Sequence, residues 1–225
     1  MIIHRRGRAV AYVISALLAL CAASVPAQGA RTQRTQARRS SGRTRTTPPA
    51  AGDPRANVYV TEGNRHADEG EWAAALKSYE QAVAIDPKHP QAHIYVGDAY
   101  MNLGKYREAV AAYEEAVRVA PTNPEAHYSL GAAYNDMAMY GDAFKPFVRA
   151  IGLDPNYAEA HYGIGYAYLK QENFKDAIVY LKRAVRLRND FPEAHLSLGL
   201  AYLGLGQLKS AEEELKTLEG MDHQP

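Results

Sequence analysis

Residues 90–123 read PQAHIYVGDAYMNLGKYREAVAAYEEAVRVAPTN, and residues 124–157 read PEAHYSLGAAYNDMAMYGDAFKPFVRAIGLDPNY, so Pro-X-Ala-His returns after 34 residues with Gly, Tyr and Ala behind it in unchanged register. The period runs on in both directions, to a block at 56–89 (ANVYVTEGNRHADEGEWAAALKSYEQAVAIDPKH) and to blocks at 158–191 (AEAHYGIGYAYLKQENFKDAIVYLKRAVRLRNDF) and 192–225 (PEAHLSLGLAYLGLGQLKSAEEELKTLEGMDHQP). Five copies of one unit at this length specify an all-α solenoid of antiparallel helix pairs, because no single unit can bury its apolar face alone.

Numbering places within a block from 1 to 34, apolar or small residues stand at places 4, 7, 8 and 11 of a first run and at 20, 24 and 27 of a second. Both spacings collect on one helical face. In block four these are His161, Ile164, Gly165 and Tyr168, then Ala177, Leu181 and Ala184, with Gly165 and Ala177 small enough for two backbones to approach. Turn chemistry separates the runs, as at Leu103-Gly104-Lys105 and Gly206, and closes the blocks at Asp86-Pro87, Ala120-Pro121 and Asp154-Pro155.

Val96-Gly97, Tyr100, Ala109, Tyr113, Ala116 and Pro121 of block two resemble the tetratricopeptide repeat pattern, and the resemblance covers residues 56–225. It implies a right-handed superhelix of helix pairs whose concave face binds peptides or protein segments, in a family that is not itself catalytic. Departures from the pattern mark local exceptions. Glu62 and His66 replace apolar residues in block one, as suits a terminal repeat facing water, and Asn189 replaces the closing Pro of block four. Pro146 falls early in the second helix of block three, beside Gly141 and after Ala138 in place of the turn glycine, which predicts a helix that starts late or bends. Glu212-Glu213-Glu214 gives the last helix a polar outer side, whereas Leu218 at the place of a small alanine leaves an apolar edge, and with it end-to-end homodimerisation, open.

Ahead of the array, His4-Arg5-Arg6-Gly7-Arg8, an apolar run from Ala9 to Leu20 and small residues to Ala23 have the layout of a secretory signal peptide, residues 1–27, with cleavage expected after Ala27. The apolar run is short for a membrane span, and an uncleaved anchor in the inner membrane is the alternative. Leu20 is too large for the residue before a lipidated cysteine at Cys21, and the surroundings of Arg5-Arg6 are not distinctive of a twin-arginine signal. Residues 28–55 lack aromatic and large aliphatic side chains and read as a disordered Arg-rich linker. The charge is divided: residues 1–55 carry ten Arg against Asp53, a net +9, and the rest carry 16 basic against 24 acidic residues, a net −8. Such an arm meets an anionic surface, a partner or the array's own acidic face. No aromatic is interleaved to stack bases, so nucleic acid is not expected.

Candidate chemistry is sparse. The only cysteine is Cys21, within the apolar segment, which leaves no thiol chemistry for the array. His93, His127, His161 and His195 recur at place 4, but blocks one helix spacing or more apart, ~8–10 Å, cannot bring ligand nitrogens within ~2 Å of one ion. They read as amphipathic rings in the hairpin seam. Gly104-Lys105 is followed by Tyr106 and lacks a phosphate loop, and G-x-S-x-G and H-E-x-x-H are absent. The expectation is a protein that is not an enzyme and uses no metal or cofactor.

Places 2, 5, 9, 12 and 13 lie opposite the buried face of the first helix and, by the resemblance, line the inner groove. They hold Glu125, Tyr128, Ala132, Asn135 and Asp136 in block three, Glu159, Tyr162, Tyr166, Leu169 and Lys170 in block four, and Glu193, Leu196, Leu200, Leu203 and Gly204 in block five. That is an aromatic and aliphatic floor with an acidic rail. Of the clamp that relatives place around a peptide carboxylate only Asn64 is present, so a partner segment with apolar anchors and basic residues fits better than an acidic tail. The sequence reading is a periplasmic or secreted interaction scaffold of the cell envelope. Its alternative is a spacer held to anionic lipid or wall polymer by residues 28–55.

Overall fold

The computed structural model describes residues 53–222, and every regular element among them is an α-helix. In chain order these are α1 (Pro54–Asp68), α2 (Trp72–Ile85), α3 (Pro90–Asn102), α4 (Tyr106–Val119), α5 (Pro124–Asp136), α6 (Tyr140–Leu153), α7 (Ala158–Lys170), α8 (Phe174–Leu187), α9 (Pro192–Gly204) and α10 (Leu208–Asp222). Each predicted block supplies one pair, and the first pair opens at Pro54, two residues before the block boundary at Ala56. Residues 1–27, read above as a signal peptide, and nearly all of the segment 28–55 read as an Arg-rich linker lie outside the described residues. Among the described residues no helix is long and apolar enough to cross a membrane.

Helix starts follow from the closing dipeptides of the blocks. Proline opens α1, α3, α5 and α9, where a missing N–H costs nothing, and the preceding side chain caps the first three of these. His89 Nδ1 accepts from the Ala92 N–H (3.2 Å) while its Nε2–H donates to Asn57 Oδ1 (3.0 Å). Asn123 Oδ1 accepts from the Glu125 N–H at 2.9 Å. Place 15 lies within every hairpin turn and has positive φ in all five: Gly70 (80°), Gly104 (76°), Ala138 (58°), Glu172 (58°) and Gly206 (69°). The turn therefore keeps its left-handed residue even where glycine has been lost.

The described residues fall into two compact units, 53–139 and 140–222. In the first, α1 packs on α2, α3 on α4, and each pair on the next helix in sequence. Its core is aromatic: Tyr79, Tyr95 and Tyr113 are at most 2% exposed. Glycine at place 8 makes room for them, since a Cβ at Gly63 or Gly97 would sit 2.4 Å from the ring of Tyr79 or Tyr113. The two hydroxyls are satisfied at place 9, by Asn64 Oδ1 and Asp98 Oδ1, each at 2.8 Å.

In the second unit the core runs through Ala177, Leu181, Leu198, Ala201, Tyr202, Ala211, Leu215 and Leu218. Leu218 is 7% exposed and packed inward, so it does not leave the apolar edge that was open in sequence. On the outer side of α10 stand Lys209, Glu213, Lys216 and Glu219, and the terminal helix caps its own unit. The expectation of a late start for the helix holding Pro146 is not met: α6 begins 34 residues after α4, 34 before α8, and shares their length of 14. Pro146, Phe147 and Ala150 are buried along it, and the Asp142 carbonyl that loses its donor belongs to an exposed residue that water can reach. The burial of this whole face, Phe147 and Ala150 included, keeps the helix in place despite the cost of the proline.

Candidate functional site

The place-4 histidines hold the turns. In each case Nε2 donates to the carbonyl six residues earlier: His93 to Pro87 (2.9 Å), His127 to Pro121 (2.9 Å), His161 to Pro155 (3.1 Å) and His195 to Asn189 (3.1 Å). A nitrogen committed in this way is not presented to a shared ion, and the sequence pattern held no cue to this bond. His195 also bonds Glu214 through Nδ1 at 2.6 Å, joining α9 to α10. Burial lowers the proton affinity of His161 below the ordinary imidazole range.

Among the described residues one trio offers metal-ligating atoms within reach of one another, His66, Glu69 and Glu71. Its valences are spent internally. His66 Nδ1–H donates to Glu71 (2.7 Å), and Arg65 Nη1 donates to both Glu69 oxygens (2.9 Å each).

The residues read as groove-lining divide between the two units. In 53–139, Glu125 and Tyr128 are half-buried on α5, and Asn135 is 8% exposed near its end. In 140–222, Tyr162, Leu169, Leu196, Leu200 and Leu203 are half-buried and pack against the α8–α10 core, so part of the floor also serves the fold. What emerges on α7 is a run of ring contacts. Tyr140 meets Tyr166 edge-on at 6.4 Å, Tyr166 meets Tyr162 at 5.9 Å, and Tyr162 meets Phe191 at 5.0 Å. Two cations lie along the run, Lys170 Nζ 5.2 Å from the Tyr166 ring and the Arg188 guanidinium 3.5 Å from the terminal Phe191 ring.

The acidic rail is modified here. Glu159 is bonded to Arg188 Nη1 at 2.8 Å, with the two side chains 13% and 11% exposed, so its charge is compensated. Arg188 Nε and Nη2 and Glu193 Oε2 are buried without a hydrogen-bond partner, which costs stability unless something else satisfies them. Sequence reading missed Arg188, Phe191 and Tyr140. A signal for the first was present: place 31 holds Asp86, Ala120 and Asp154 in the earlier blocks, and a reversal to Arg marks a new electrostatic partner.

Comparison with known proteins agrees with the repeat fold. A family model described as TPR repeat matches residues 63–104, 97–137, 140–172 and 165–206, and one described as tetratricopeptide repeat matches 192–222. No curated protein matches the chain. Among solved structures, MamA from Desulfovibrio magneticus RS-1 is similar at 25% identity and a TM-score of 0.66, over 77% of this chain and 97% of that one. TTC0263, a thermophilic TPR protein of Thermus thermophilus, is similar at 24% identity and a TM-score of 0.64, over 75% and 92%. PilF of Pseudomonas aeruginosa is similar at 18% identity and a TM-score of 0.71, over 77% and 79%.

Proposed function

Because this chain belongs to the tetratricopeptide repeat family, we propose that it is a non-enzymatic scaffold of a bacterial-type cell envelope that holds an extended or helical segment of another envelope protein against α7 and α9. The ring run Tyr140–Tyr166–Tyr162–Phe191 carries the reading, because rigid aromatic side chains give large contact area at little entropic cost. Apolar side chains of the segment pack on Tyr162, Tyr166, Leu196 and Leu200. The donors of Arg188 that remain unspent favour a carbonyl of the segment nearby. Export rests on the basic and apolar layout of residues 4–23.

A photo-crosslinking residue at position 166, in the full chain in its native host, tests this. It is expected to yield a discrete adduct with one envelope protein, absent when the probe replaces the exposed Val179 on α8, and Tyr166→Ala is expected to weaken capture about 30-fold, a hot-spot loss of ~2 kcal/mol. Equal adducts from both positions, or capture unchanged by Tyr166→Ala, would overturn it.

A further inference from the structure

The acidity of the array is not spread evenly. Residues 53–139 hold 13 Asp and Glu against 7 Lys and Arg, a net −6, whereas 140–222 hold 12 against 10, a net −2. One exposed feature accounts for part of the difference. In the first unit a place-11 tyrosine donates its hydroxyl to the place-25 glutamate of the preceding block, Tyr100 to Glu80 at 3.1 Å and Tyr134 to Glu114 at 3.3 Å. Among the described residues neither carboxylate has a basic partner. Glu108 adds a second negative charge at Tyr100, whose hydroxyl proton is held above its ordinary range by burial and then by Glu80 and Glu108. Lys105 Nζ already lies 5.8 Å from the Tyr100 ring, so this face attracts cations. In the second unit place 25 holds Val148, Lys182 and Lys216, and Lys182 stands 5.9 Å from the Tyr202 ring. The same place has lost its negative charge in all three and become basic in two.

The chain itself carries the complement. Residues 28–52 contain Arg31, Arg34, Arg38, Arg39, Arg43 and Arg45 and no acidic residue, a net +6. Their attachment point is close to the acidic face. The Asp53 N–H reaches Asp86 Oδ2 (3.4 Å) at the end of α2, and Glu80 is six residues back along that helix, ~9 Å at 1.5 Å per residue. Glu114 lies one block further, at least one helix spacing of ~8–10 Å. Arg45 is eight residues before Asp53, a reach of up to ~28 Å, and a gap of four residues such as Arg34 to Arg38 covers ~13 Å when extended, enough to span one block. Guanidinium suits both parts of such a site, its planar fork matching a carboxylate and its face stacking on tyrosine.

We infer that the Arg-rich segment 31–45 docks in cis on the Tyr100–Glu80 and Tyr134–Glu114 faces of residues 53–139, and that an anionic partner of the arm must displace it from there. The covalent link makes docking intramolecular, so modest pairs suffice. The inference is independent of the aromatic run on α7, and its failure leaves that reading intact.

The test uses the full chain with Cys21→Ser and a nitroxide label at Gly42→Cys. Amides around Glu80 and Glu114 are expected to broaden at low salt, those around Lys182 and Lys216 to stay sharp, and the broadening to vanish at ~0.5 M salt, where the Debye length falls to a few ångströms. Glu80→Gln with Glu114→Gln is expected to abolish it at low salt. Broadening that survives both treatments, or is as strong around Lys182, overturns the proposal. So does broadening transferred to an isotope-labelled chain mixed with a spin-labelled one, which would make the occupant a second copy's arm. No broadening at all, with salt-dependent adsorption to phosphatidylglycerol vesicles unaltered by the paired variant, assigns the arm to lipid and equally overturns it.

Discussion

Ala138 and Glu172 occupy the left-handed turn position that glycine fills in the other three hairpins, each at φ 58°. A Cβ there costs roughly 1–2 kcal/mol, partly returned because glycine would give the unfolded chain more freedom. Both side chains are exposed, so nothing is lost by removing them. Ala138→Gly and Glu172→Gly are each expected to raise stability by ~0.5–1 kcal/mol, seen as a higher urea midpoint at unchanged slope. His89 and His161 set a pH dependence with a definite sign. Burial is the main cause holding both below the ordinary 6.5 in the folded chain. The folded state therefore binds fewer protons than the unfolded one, and the stability these groups contribute is complete above pH ~6.5 and is lost as pH falls through their lowered folded values. Urea midpoints measured from pH 7.5 downward should decline through this window, and His161→Phe, which cannot titrate, should flatten the decline. The recurrence of histidine at place 4 was plain in the sequence. Its bond to a carbonyl six residues back was not, because that carbonyl belongs to an irregular turn whose geometry no periodicity encodes.

At the scale of the element, Pro-X-Ala-His and the Asp-Pro closings located the helices to within about two residues, since a proline with no N–H to offer is best placed at a helix start. At Pro146 the same rule, read locally, argued for an α6 that starts late or bends, and the late start is not found: the helix keeps its full span, with Pro146, Phe147 and Ala150 buried along it. Interior proline costs ~3 kcal/mol, and losing part of its buried ring costs ~1 kcal/mol, so Pro146→Ala is expected to stabilise the chain by ~1–2 kcal/mol. A calorimetric scan checks this, and a lower transition temperature would show the ring to be worth more than the hydrogen bond. Leu218 is the complementary case. Its size suggested an exposed edge on α10, and the core of the second unit takes it in.

For the whole molecule, the 34-residue period determined the fold class and the pairing of helices without reference to coordinates, because each block repeats the same apolar code and can satisfy it only by stacking on its neighbours. It also indicated which faces of α7 and α9 bear tyrosine and leucine, and that arm and array carry opposite charge. What only the tertiary structure decided was which of those side chains are spent. Glu159 is neutralised by an arginine 29 residues away, several groove residues are half-buried against the core, and Tyr113 closes on Asp98. Glu80 and Glu114, unremarkable in the sequence, stand on an exposed face and have no basic partner among the described residues. The division has a physical cause: helix formation and stacking follow from a periodic pattern that each block carries in itself, whereas ion pairing and ring contact join residues far apart in the chain, whose meeting depends on how the helices pack.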